Sequence, residues 1–308
     1  MKLIESSVEL LKQEPGMSGI NKIIELAGRT CYKSEANITE NSAKEFVQRM
    51  INSHHTAMLE HGTVYLKVLG YSWDTHGDHF EDYVNNPYSS TNYNRGEYFI
   101  TTNLRVLLEN GWLDDLQFIC EPTEFHEKRI TLKFTTSIGI TRELVRHRAF
   151  SFANESTRYC NYIKNKFNNE LTFIKPSWFD DEQHKGDKHK MMLVTTALNQ
   201  AEKHYMDLVS GSTLILQSHL SGPPEVISSV EMTPMTPQQA REFLPLCTKS
   251  DIVMTGFASD WRNFFDLRLF GKTGKPHPDM LLLAEKAMKV LEENELWDYI
   301  MSFPSKFD

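Results

Sequence analysis

The sequence predicts an α+β fold: a mixed or antiparallel sheet with flanking helices. Two stretches, 63–68 and 130–134, alternate apolar and polar residues as half-buried strands do, whereas several longer segments repeat their apolar residues at helical spacing. Strands and helices do not alternate regularly, which argues against a parallel sheet built from βαβ units. We therefore predict a single domain over residues 1–308, with polar surface insertions near 74–98 and 176–190.

The first half of the chain contains both kinds of element. Helical spacing recurs over 18–30 and 41–52, and again over 141–148, where the helix is expected to end near residue 148. The strand at 63–68 is expected to place three apolar side chains on one face: Val64, Leu66 and Val68.

The second half contains several predicted helices. A long helical run is expected over 190–219. The segment Thr236-Pro237-Gln238-Gln239 is a strong helix start, because a capping hydroxyl precedes proline at the first position and glutamine at the third. Asp260 is a candidate cap for a helix that runs to Leu269. The last helix carries an apolar stripe: Met280, Leu283, Ala284, Ala287 and Leu291.

The composition excludes several classes of protein. Lys and Arg number 33 against 41 Asp and Glu, a formal net charge of −8, and no basic run is present. This argues against a nucleic-acid or acidic-membrane partner. No stretch approaches the roughly 20 apolar residues of a membrane-spanning helix, and the N-terminal residues do not resemble a secretory signal. The four cysteines are widely spaced with no Cys-x-x-Cys pair, so we expect a cytoplasmic protein without a disulfide framework.

Residues 146–160, RHRAFSFANESTRYC, concentrate positive charge in this acidic chain. Two arginines flank His147, and Arg158 follows after a loop with serine and asparagine side chains. Guanidinium groups with hydroxyls between them suit a phosphate, because a bidentate arginine contact is charge-assisted and directional. The alternative is an ordinary solvated helix end whose cations pair with Glu143 and Glu155.

The spacing inside this cluster is more specific than its charge. Arg146-His147-Arg148, with Ser156 eight positions after the last arginine, resembles the signature of the flavin-dependent thymidylate synthases. Further segments are similar to family motifs in the same order along the chain: His55 to His61, Ala240 to Pro245 and Thr255 to Arg268. The match runs discontinuously from about Arg29 to His277, interrupted by the two polar insertions.

The resemblance implies a reaction and its cofactors. Members of this family make dTMP from dUMP: methylenetetrahydrofolate supplies the carbon, reduced FAD supplies the hydride, and NADPH usually reduces the flavin. The cofactor carries this chemistry, while the protein orients and polarises. The family builds its sites across a homotetramer, so we expect a homotetramer that binds dUMP and folate, in which the single domain is catalytic and holds no metal.

The same resemblance assigns site residues. Arg268 and Ser156 would be catalytic, and Arg268 would face the uracil and stabilise negative charge as N3 ionises. The residues expected to contact FAD or the folate are His55, Ala57, Glu60, Arg146, His147, Arg148, Asn154 and Asn263. The residues expected to bind dUMP, with Ser156 and Arg158 reaching from a neighbouring subunit, are Glu143, Arg146, Glu155, Ser156, Arg158, Arg241 and Arg268.

Some positions depart from the family pattern. Asn154 and Glu155 directly precede the motif serine, so either could take the place of the family's glutamate. The family's Asn-x-Arg contact to the flavin corresponds to Phe257-Ala258-Ser259, which removes polar groups. Glu143 stands where the family often has glutamine near the nucleotide.

Two alternative chemistries have weaker support. Cys160, near Arg158, could be a thiolate nucleophile as in the cysteine-dependent thymidylate synthases, but nothing else in the chain resembles that enzyme. A metal-dependent hydrolase is a second alternative, although its candidate ligands lack a carboxylate partner set: His54, His55, His61, His76 and His79.

A third alternative belongs to a different functional class. A non-catalytic nucleotide-binding paralogue would keep the arginines for phosphate and lose the flavin through Phe257 and Ser259. Retention of Arg268 argues against this alternative, because a pure phosphate binder has no evident need for a cation at the uracil.

Overall fold

The computed structural model describes residues 1–69, 79–211, 213–218 and 225–307. Contacts divide the chain into two compact units. The large unit comprises Ser6–Thr136, Ile140–Glu155 and Ser250–Asp308, and the small unit comprises Met1–Glu5, Ser137–Gly139 and Ser156–Lys249. Each unit has its own sheets and its own buried core. The single catalytic domain expected from the sequence stays a prediction.

The described helices range from one turn to about six turns in length. They are α1 (Gly16–Tyr32), α2 (Ser42–Asn52), α3 (His79–Asn85), α4 (Leu104–Asn110), α5 (Ile138–Leu144), α6 (Glu182–Lys185), α7 (Lys188–Ser210), α8 (Pro237–Ala240), α9 (Ala258–Arg268), α10 (Pro278–Glu293) and α11 (Trp297–Met301).

The described strands are mostly short. They are β1 (Lys2–Ile4), β2 (Ser7–Leu10), β3 (Thr63–Leu69), β4 (Ser90–Asn94), β5 (Glu97–Asn103), β6 (Arg129–Ser137), β7 (Ser151–Asn154), β8 (Thr172–Ile174), β9 (Thr213–Ser218), β10 (Glu225–Glu231) and β11 (Lys249–Phe257).

The sheets are mainly antiparallel. In the large unit, four strands lie in the order β2-β6-β11-β7, and three strands lie in the order β3-β5-β4. The edge strands β2 and β7 and both pairings of the three-stranded sheet are antiparallel. In the small unit, β1 and β8 pair in parallel and β9 and β10 pair antiparallel. This arrangement, with no regular βαβ alternation, confirms the predicted α+β class.

One core of the large unit joins β6 and β11 to helices α9 and α10. Trp261 of α9 is fully buried, and its indole N–H donates a 3.0 Å hydrogen bond to the carbonyl of Ile130 in β6. The predicted apolar stripe of the last helix is confirmed, because all five of its residues are fully buried in this core: Met280, Leu283, Ala284, Ala287 and Leu291. Burial of each large apolar side chain stabilises the fold by about 1.5–3 kcal/mol.

A second core of the large unit lies on the three-stranded sheet. Val64, Leu66 and Val68 are all fully buried there, which confirms the predicted strand and its buried face. Tyr83 of α3 is also fully buried, and its hydroxyl donates a 2.8 Å hydrogen bond to the Asp115 carboxylate. The prediction of a surface excursion over 74–98 therefore misses the helix α3 and the hairpin of β4 and β5, which begins at Ser90, while residues 74–78 lie outside the described residues.

The small unit is organised around α7. Tyr205 of this helix is fully buried beside Phe173 of β8, and its ring centroid lies 5.6 Å from that of Tyr162. The capping box predicted at Thr236 is present, but the helix that it starts, α8, has only four residues before a 3₁₀ turn takes over.

Three predicted helix boundaries are wrong. The helix expected to end near residue 148 ends at Leu144, because the amides of Arg146 and His147 bond three residues back instead of four. The helix expected to continue to 219 ends at Ser210, where Gly211 adopts a left-handed φ of 73°. Asp260 lies in the first turn of α9, whose N-cap position is Phe257.

No helix within the described ranges has both the length and the apolar character needed to cross a membrane.

Candidate functional site

An arginine, a histidine and a glutamate from distant parts of the sequence meet in the large unit. Arg268, the last residue of α9, donates from Nε to Nε2 of His147 at 3.1 Å. Its Nη1 donates to Oε2 of Glu143 at 2.8 Å, and its Nη2 donates to the Glu143 carbonyl at 3.4 Å. Both side chains of this ion pair are partly shielded, since Arg268 is 20% exposed and Glu143 is 27% exposed. The three predicted site residues therefore form one hydrogen-bonded cluster.

His147 is neutral in this cluster. Burial, together with the positive charge of Arg268, lowers the pKa of His147 to about 4. Its Nε2 accepts a hydrogen bond from Arg268, so the neutral ring carries its proton on Nδ1. The ring stands 5.2 Å from the ring of Phe264 and 6.1 Å from that of Phe150, between aromatic side chains that hold it in place.

The backbone after α5 separates this buried histidine from its charged neighbours. The His147 amide bonds to the Leu144 carbonyl, and the Phe150 amide bonds to the His147 carbonyl, so the segment is a succession of turns. In this conformation His147 points inward while Arg146 and Arg148 are exposed. One tripeptide thus presents two cations at the surface and one neutral ring to the interior.

The two exposed arginines are not neutralised by the neighbouring acidic residues. Glu143 pairs with Arg268, and Glu155 is buried on the backbone of Asp251, where its Oε2 accepts the amide proton at 3.1 Å. In the described part of the chain, neither Arg146 nor Arg148 has an ion pair. The alternative of a helix end paired with Glu143 and Glu155 is therefore wrong, and these guanidinium groups are available to an anion.

Asn154 and Glu155 have different environments at the end of β7. Oδ1 of Asn154 accepts a 2.9 Å hydrogen bond from the hydroxyl of Ser250 in β11. Glu155 is 4% exposed, and the Asp251 beside it also receives the ammonium of Lys33 at 2.5 Å. Glu155 is thus enclosed in a polar network, whereas the half-buried Asn154 is nearer to solvent.

The motif around Glu60 is also in the large unit. His55 and Ala57 are exposed, and Glu60 is half-buried on a 3₁₀ segment, Thr56–His61. The Glu60 carboxylate forms an ion pair with Arg105 of α4, which the motif did not predict.

Arg105 is shared between two carboxylates. Its Nε donates to Glu109 one turn further along the same helix at 2.8 Å, and that carboxylate also accepts from Thr56 at 2.7 Å. The spacing of Arg105 and Glu109 is a recognisable helical ion pair in the sequence, but the contact of Arg105 with Glu60 depends on the tertiary fold.

The first turn of α9 explains the departure from the family's Asn-x-Arg. Phe257 is buried with its ring 5.6 Å from the guanidinium of Arg129. The Ser259 amide donates to Oε1 of Glu127 at 3.0 Å, so a carboxylate of this chain already occupies this end of the helix. Asn263, one turn later, is half-buried on α9.

The small unit holds the remaining predicted residues. Arg158 is exposed, with its Nε donating to Oε1 of Gln238 at 3.1 Å, so it reaches the capped turn that carries Arg241 three residues later. Arg241 is 36% exposed and lies 3.7 Å from the more exposed Glu242. The carbonyl of Ser156 accepts hydrogen bonds from the amides of Tyr159 and Cys160 in the turn that follows it. Two guanidinium groups thus lie near one short segment.

The cysteine and metal alternatives gain no support. All four cysteines are free thiols, and Cys160 is fully buried. Among the residues whose positions are described, no group of three or more His, Cys, Asp or Glu side chains could hold a metal ion. His76 lies outside the described residues.

Comparisons with known proteins agree with the motifs. The family model described as thymidylate synthase complementing protein matches residues 97–294. A flavin-dependent thymidylate synthase of Corynebacterium aurimucosum is 23% identical over 282 residues, which cover 91% of this chain and 79% of that protein. A probable flavin-dependent thymidylate synthase of Paramecium bursaria Chlorella virus 1 is 25% identical over 161 residues, 51% of this chain and 64% of that protein.

Among solved structures, the UMP/dUMP methylase PolB from Streptomyces cacaoi, bound with 5-Br dUMP, is 15% identical with a TM-score of 0.44, and the alignment covers 98% of both chains. Thymidylate Synthase X from Helicobacter pylori, with FAD and dUMP, is 16% identical with a TM-score of 0.37 over 96% of this chain and 99% of that chain. Because the matched family model spans more than half of the sequence, the chain belongs to the thymidylate synthase complementing protein family, which confirms the resemblance drawn from its motifs.

Proposed function

We propose that this chain is a flavin-dependent thymidylate synthase that converts dUMP to dTMP. Methylenetetrahydrofolate is the carbon donor, reduced FAD is the hydride donor and NADPH reduces the flavin. The observation that carries the proposal is the hydrogen bond from Arg268 to His147, because it joins the Arg-His-Arg motif to the helix that carries the proposed uracil-facing cation. Membership of the family supports the same conclusion.

The residues present fit a flavin nucleotide. Arg146 and Arg148 are exposed cations without an ion pair among the described residues, and a pyrophosphate is the kind of anion that such guanidinium groups bind. His147 would support this segment from inside. Five further residues would complete the contacts to the flavin and folate: Asn263, Asn154, His55, Ala57 and Glu60. Bound FAD, once reduced, supplies the hydride that completes the methyl group.

Arg268 is held ready for the nucleotide base. A guanidinium has five N–H donors, and three of its nitrogens each make one contact to Glu143 or His147. Two donors are left for a ligand. Because Glu143 and His147 fix the orientation of the group in advance, it can stabilise negative charge on the uracil without reorganising during the reaction.

The phosphate of dUMP would bind to residues of the small unit. Arg158 and Arg241 approach the same capped turn, and both are accessible. Ser156 lies two residues before Arg158 and would contact the base as the second catalytic residue. As the family resemblance implies, Ser156 and Arg158 would come from a neighbouring subunit of a homotetramer. Glu155, directly before Ser156, would also bind dUMP.

One observation favours a second candidate, a non-catalytic nucleotide-binding protein. Phe257 is buried and the Ser259 amide is bonded to Glu127, so two contacts that the family makes to the flavin are absent from this corner. Such a protein would bind dUMP but would not need FAD.

The visible absorption spectrum of the purified protein tests both candidates. A flavin band that bleaches with NADPH faster when dUMP is present, together with release of tritium from [5-³H]dUMP on addition of methylenetetrahydrofolate, is expected of the synthase. A colourless protein that takes up no added FAD yet binds dUMP would establish the non-catalytic candidate in its place.

A further inference from the structure

A cavity of about 320 Å³ lies inside the large unit and is lined by none of the residues assigned to the proposed synthase site. Its walls come from the end of β2 and the turn before α1, the start of β3, the segment 119–122 and the start of β6. Leu296, after α10, completes the lining. The volume is at the lower end of the range of about 300–1,000 Å³ that small-molecule sites occupy.

Apolar side chains form much of the lining. Ile20 and Ile130 are buried, and Ile119 and Leu296 are half-buried. Gln13 closes one side, because its amide exchanges two hydrogen bonds with the backbone of Thr63, at 2.8 and 2.9 Å. The side walls therefore suit an apolar body. The Gln13 amide is already hydrogen-bonded to Thr63 and does not need a ligand to satisfy it.

Arg129, at the start of β6, brings a positive charge to this lining. Its Nη1 donates to the Glu60 carbonyl at 2.9 Å, and its Nη2 donates to the Ser151 hydroxyl at 3.2 Å. These acceptors are neutral, and Nε is buried with no hydrogen-bond partner among the described residues. Burial lowers the pKa of Arg129 to about 10, so it is still charged at neutral pH. In the described part of the chain no carboxylate lies within ion-pair distance of this guanidinium, although the charges of Glu60 and Asp260 act on it from further away.

Tyr65 supplies a second donor beside Arg129. Its hydroxyl oxygen accepts a hydrogen bond from the Arg129 amide, with 3.4 Å between nitrogen and oxygen. Within the described residues the hydroxyl itself donates to no acceptor. Burial raises the pKa of Tyr65 to about 12, so the phenol keeps that proton. A charged donor and a neutral donor thus stand on the same lining.

The polar lining residues at the mouth add to the positive charge. Lys12 is exposed and Lys128 is half-buried, and both line the cavity. Of the two carboxylates in the lining, Glu14 is already paired with Lys22 at 2.6 Å, which leaves Glu121 as the opposing charge. The balance of charges favours an anion.

We propose that this cavity binds a small organic anion, a carboxylate on an apolar body the size of one ring, with Arg129 and Tyr65 as the partners of the carboxylate. A neutral apolar molecule would leave the guanidinium without a direct counter-ion and its buried Nε without an acceptor, which is costly for a shielded cation. Inorganic phosphate would satisfy the cation but would leave the isoleucine and leucine walls against water. The proposal stands apart from the synthase function, since neither requires the other.

Calorimetric titration of the full-length protein with benzoate, benzamide and inorganic phosphate tests the proposal. Benzoate is expected to bind about tenfold or more tightly than benzamide, its neutral near-isostere, because a hydrogen bond to a charged donor is worth more than one to a neutral group. Phosphate alone is expected to bind more weakly than benzoate at this site. Equal binding of benzoate and benzamide, or no benzoate binding at millimolar concentration, would overturn the proposal.

Variants place the binding in the cavity. Leu296→Trp fills the space and keeps every charge, so it should abolish benzoate binding, as should Arg129→Met. Lys289→Met, which removes an exposed cation of α10 outside the lining, is the matched control and should leave binding unchanged. If Arg129→Met fails to fold, Leu296→Trp still decides the question, and benzoate binding that survives in it would show that the anion binds elsewhere.

Discussion

Nε of Arg268 donates a 3.1 Å hydrogen bond to Nε2 of His147, across 121 positions of the sequence. The bond requires an imidazole whose Nε2 carries no proton, and the low pKa of His147 provides it at neutral pH. The histidine of the Arg-His-Arg motif therefore acts as a support for an arginine and not as a cation itself. Glu143 holds the other side of the same guanidinium.

Arg268→Ala is expected to lower turnover by about 10²–10³ with a smaller effect on dUMP affinity, because the group would stabilise charge that develops during the reaction. Steady-state measurement of kcat and KM for dUMP checks this. Lys289→Ala, an exposed cation on α10, serves as the control and should behave as the unmodified protein. Unchanged kcat in Arg268→Ala would remove the proposed role.

The buried histidine makes stability depend on pH. The unfolded chain takes up a proton on His147 near the ordinary pKa of 6.5, whereas the folded state does so only near 4. Protonation thus favours unfolding as pH falls through this window, and the free energy of unfolding should drop by about 2 kcal/mol from this group between pH 7 and pH 5.

Urea unfolding of His147→Gln at both pH values measures this contribution. The variant should lose less stability on acidification than the unmodified protein, while His189→Gln, an exposed histidine on α7, should show the full pH dependence. His61, whose pKa burial lowers to about 3, contributes a slope of the same sign that remains in both variants. An identical slope in His147→Gln would contradict the assignment.

Arg148→Ala is expected to weaken FAD binding about tenfold or more, through loss of a charge-assisted contact to phosphate. Titration of the apoprotein with FAD, followed by flavin fluorescence, gives the affinity. Arg142→Ala removes an exposed guanidinium from α5 and is the matched control. Equal affinities in the two variants would show that Arg148 does not contact the cofactor.

Arg241→Ala is expected to raise the Kd of dUMP about tenfold or more, since the guanidinium is accessible and only loosely paired at 3.7 Å with an exposed glutamate. Calorimetric titration with dUMP and with deoxyuridine separates the phosphate contribution, because the nucleoside should bind both proteins equally. Lys203→Ala, an exposed cation of the same unit, is the control. If nucleotide and nucleoside lose affinity alike, Arg241 does not bind the phosphate.

Gly256→Ala is expected to lower the free energy of unfolding by about 1–3 kcal/mol. A Cβ at this position in β11 would stand 2.4 Å from two ring carbons of Phe150, which packs beside His147. Chemical denaturation measures the loss. At Gly186 the nearest atom to an added Cβ is 3.9 Å away, so Gly186→Ala should change stability by less than about 0.5 kcal/mol.

Elements whose burial follows a simple period could be predicted from the sequence. The alternation in β3 and the helical stripe of α10 each place apolar groups on a single face, and those faces are buried. The predicted end of α7 at 219 was wrong, although Gly211 is a typical residue for a left-handed helix terminus and carries the signal for the true end. The end of α5 has no such signal, since there the chain leaves the helix to bury His147 among aromatic rings of α9 and the turn at Phe150.

The site shows the same division. The motifs identify which side chains belong together, but they carry no information on which of those side chains bond to each other. That Glu155 would be enclosed on the backbone of Asp251 depends on the pairing of β7 with β11. That Arg268 would contact His147 and Glu143 depends on the packing of α9 against the segment after α5. The sequence does not single out Arg105 or Arg129, because their contacts with Glu60 join residues that are remote in sequence.

The neutrality of His147 also determines which side chains of this region carry net charge. Within this partly shielded cluster, Glu143 offsets the positive charge of Arg268 and the neutral imidazole adds none, so the cluster as a whole has little net charge. Arg146 and Arg148 are exposed there, as is Arg142 one turn earlier, on a chain whose net charge is −8. A nucleotide bound as proposed would be attracted to these guanidinium groups over a short range, because dissolved salt screens exposed charges beyond about 8 Å at physiological ionic strength.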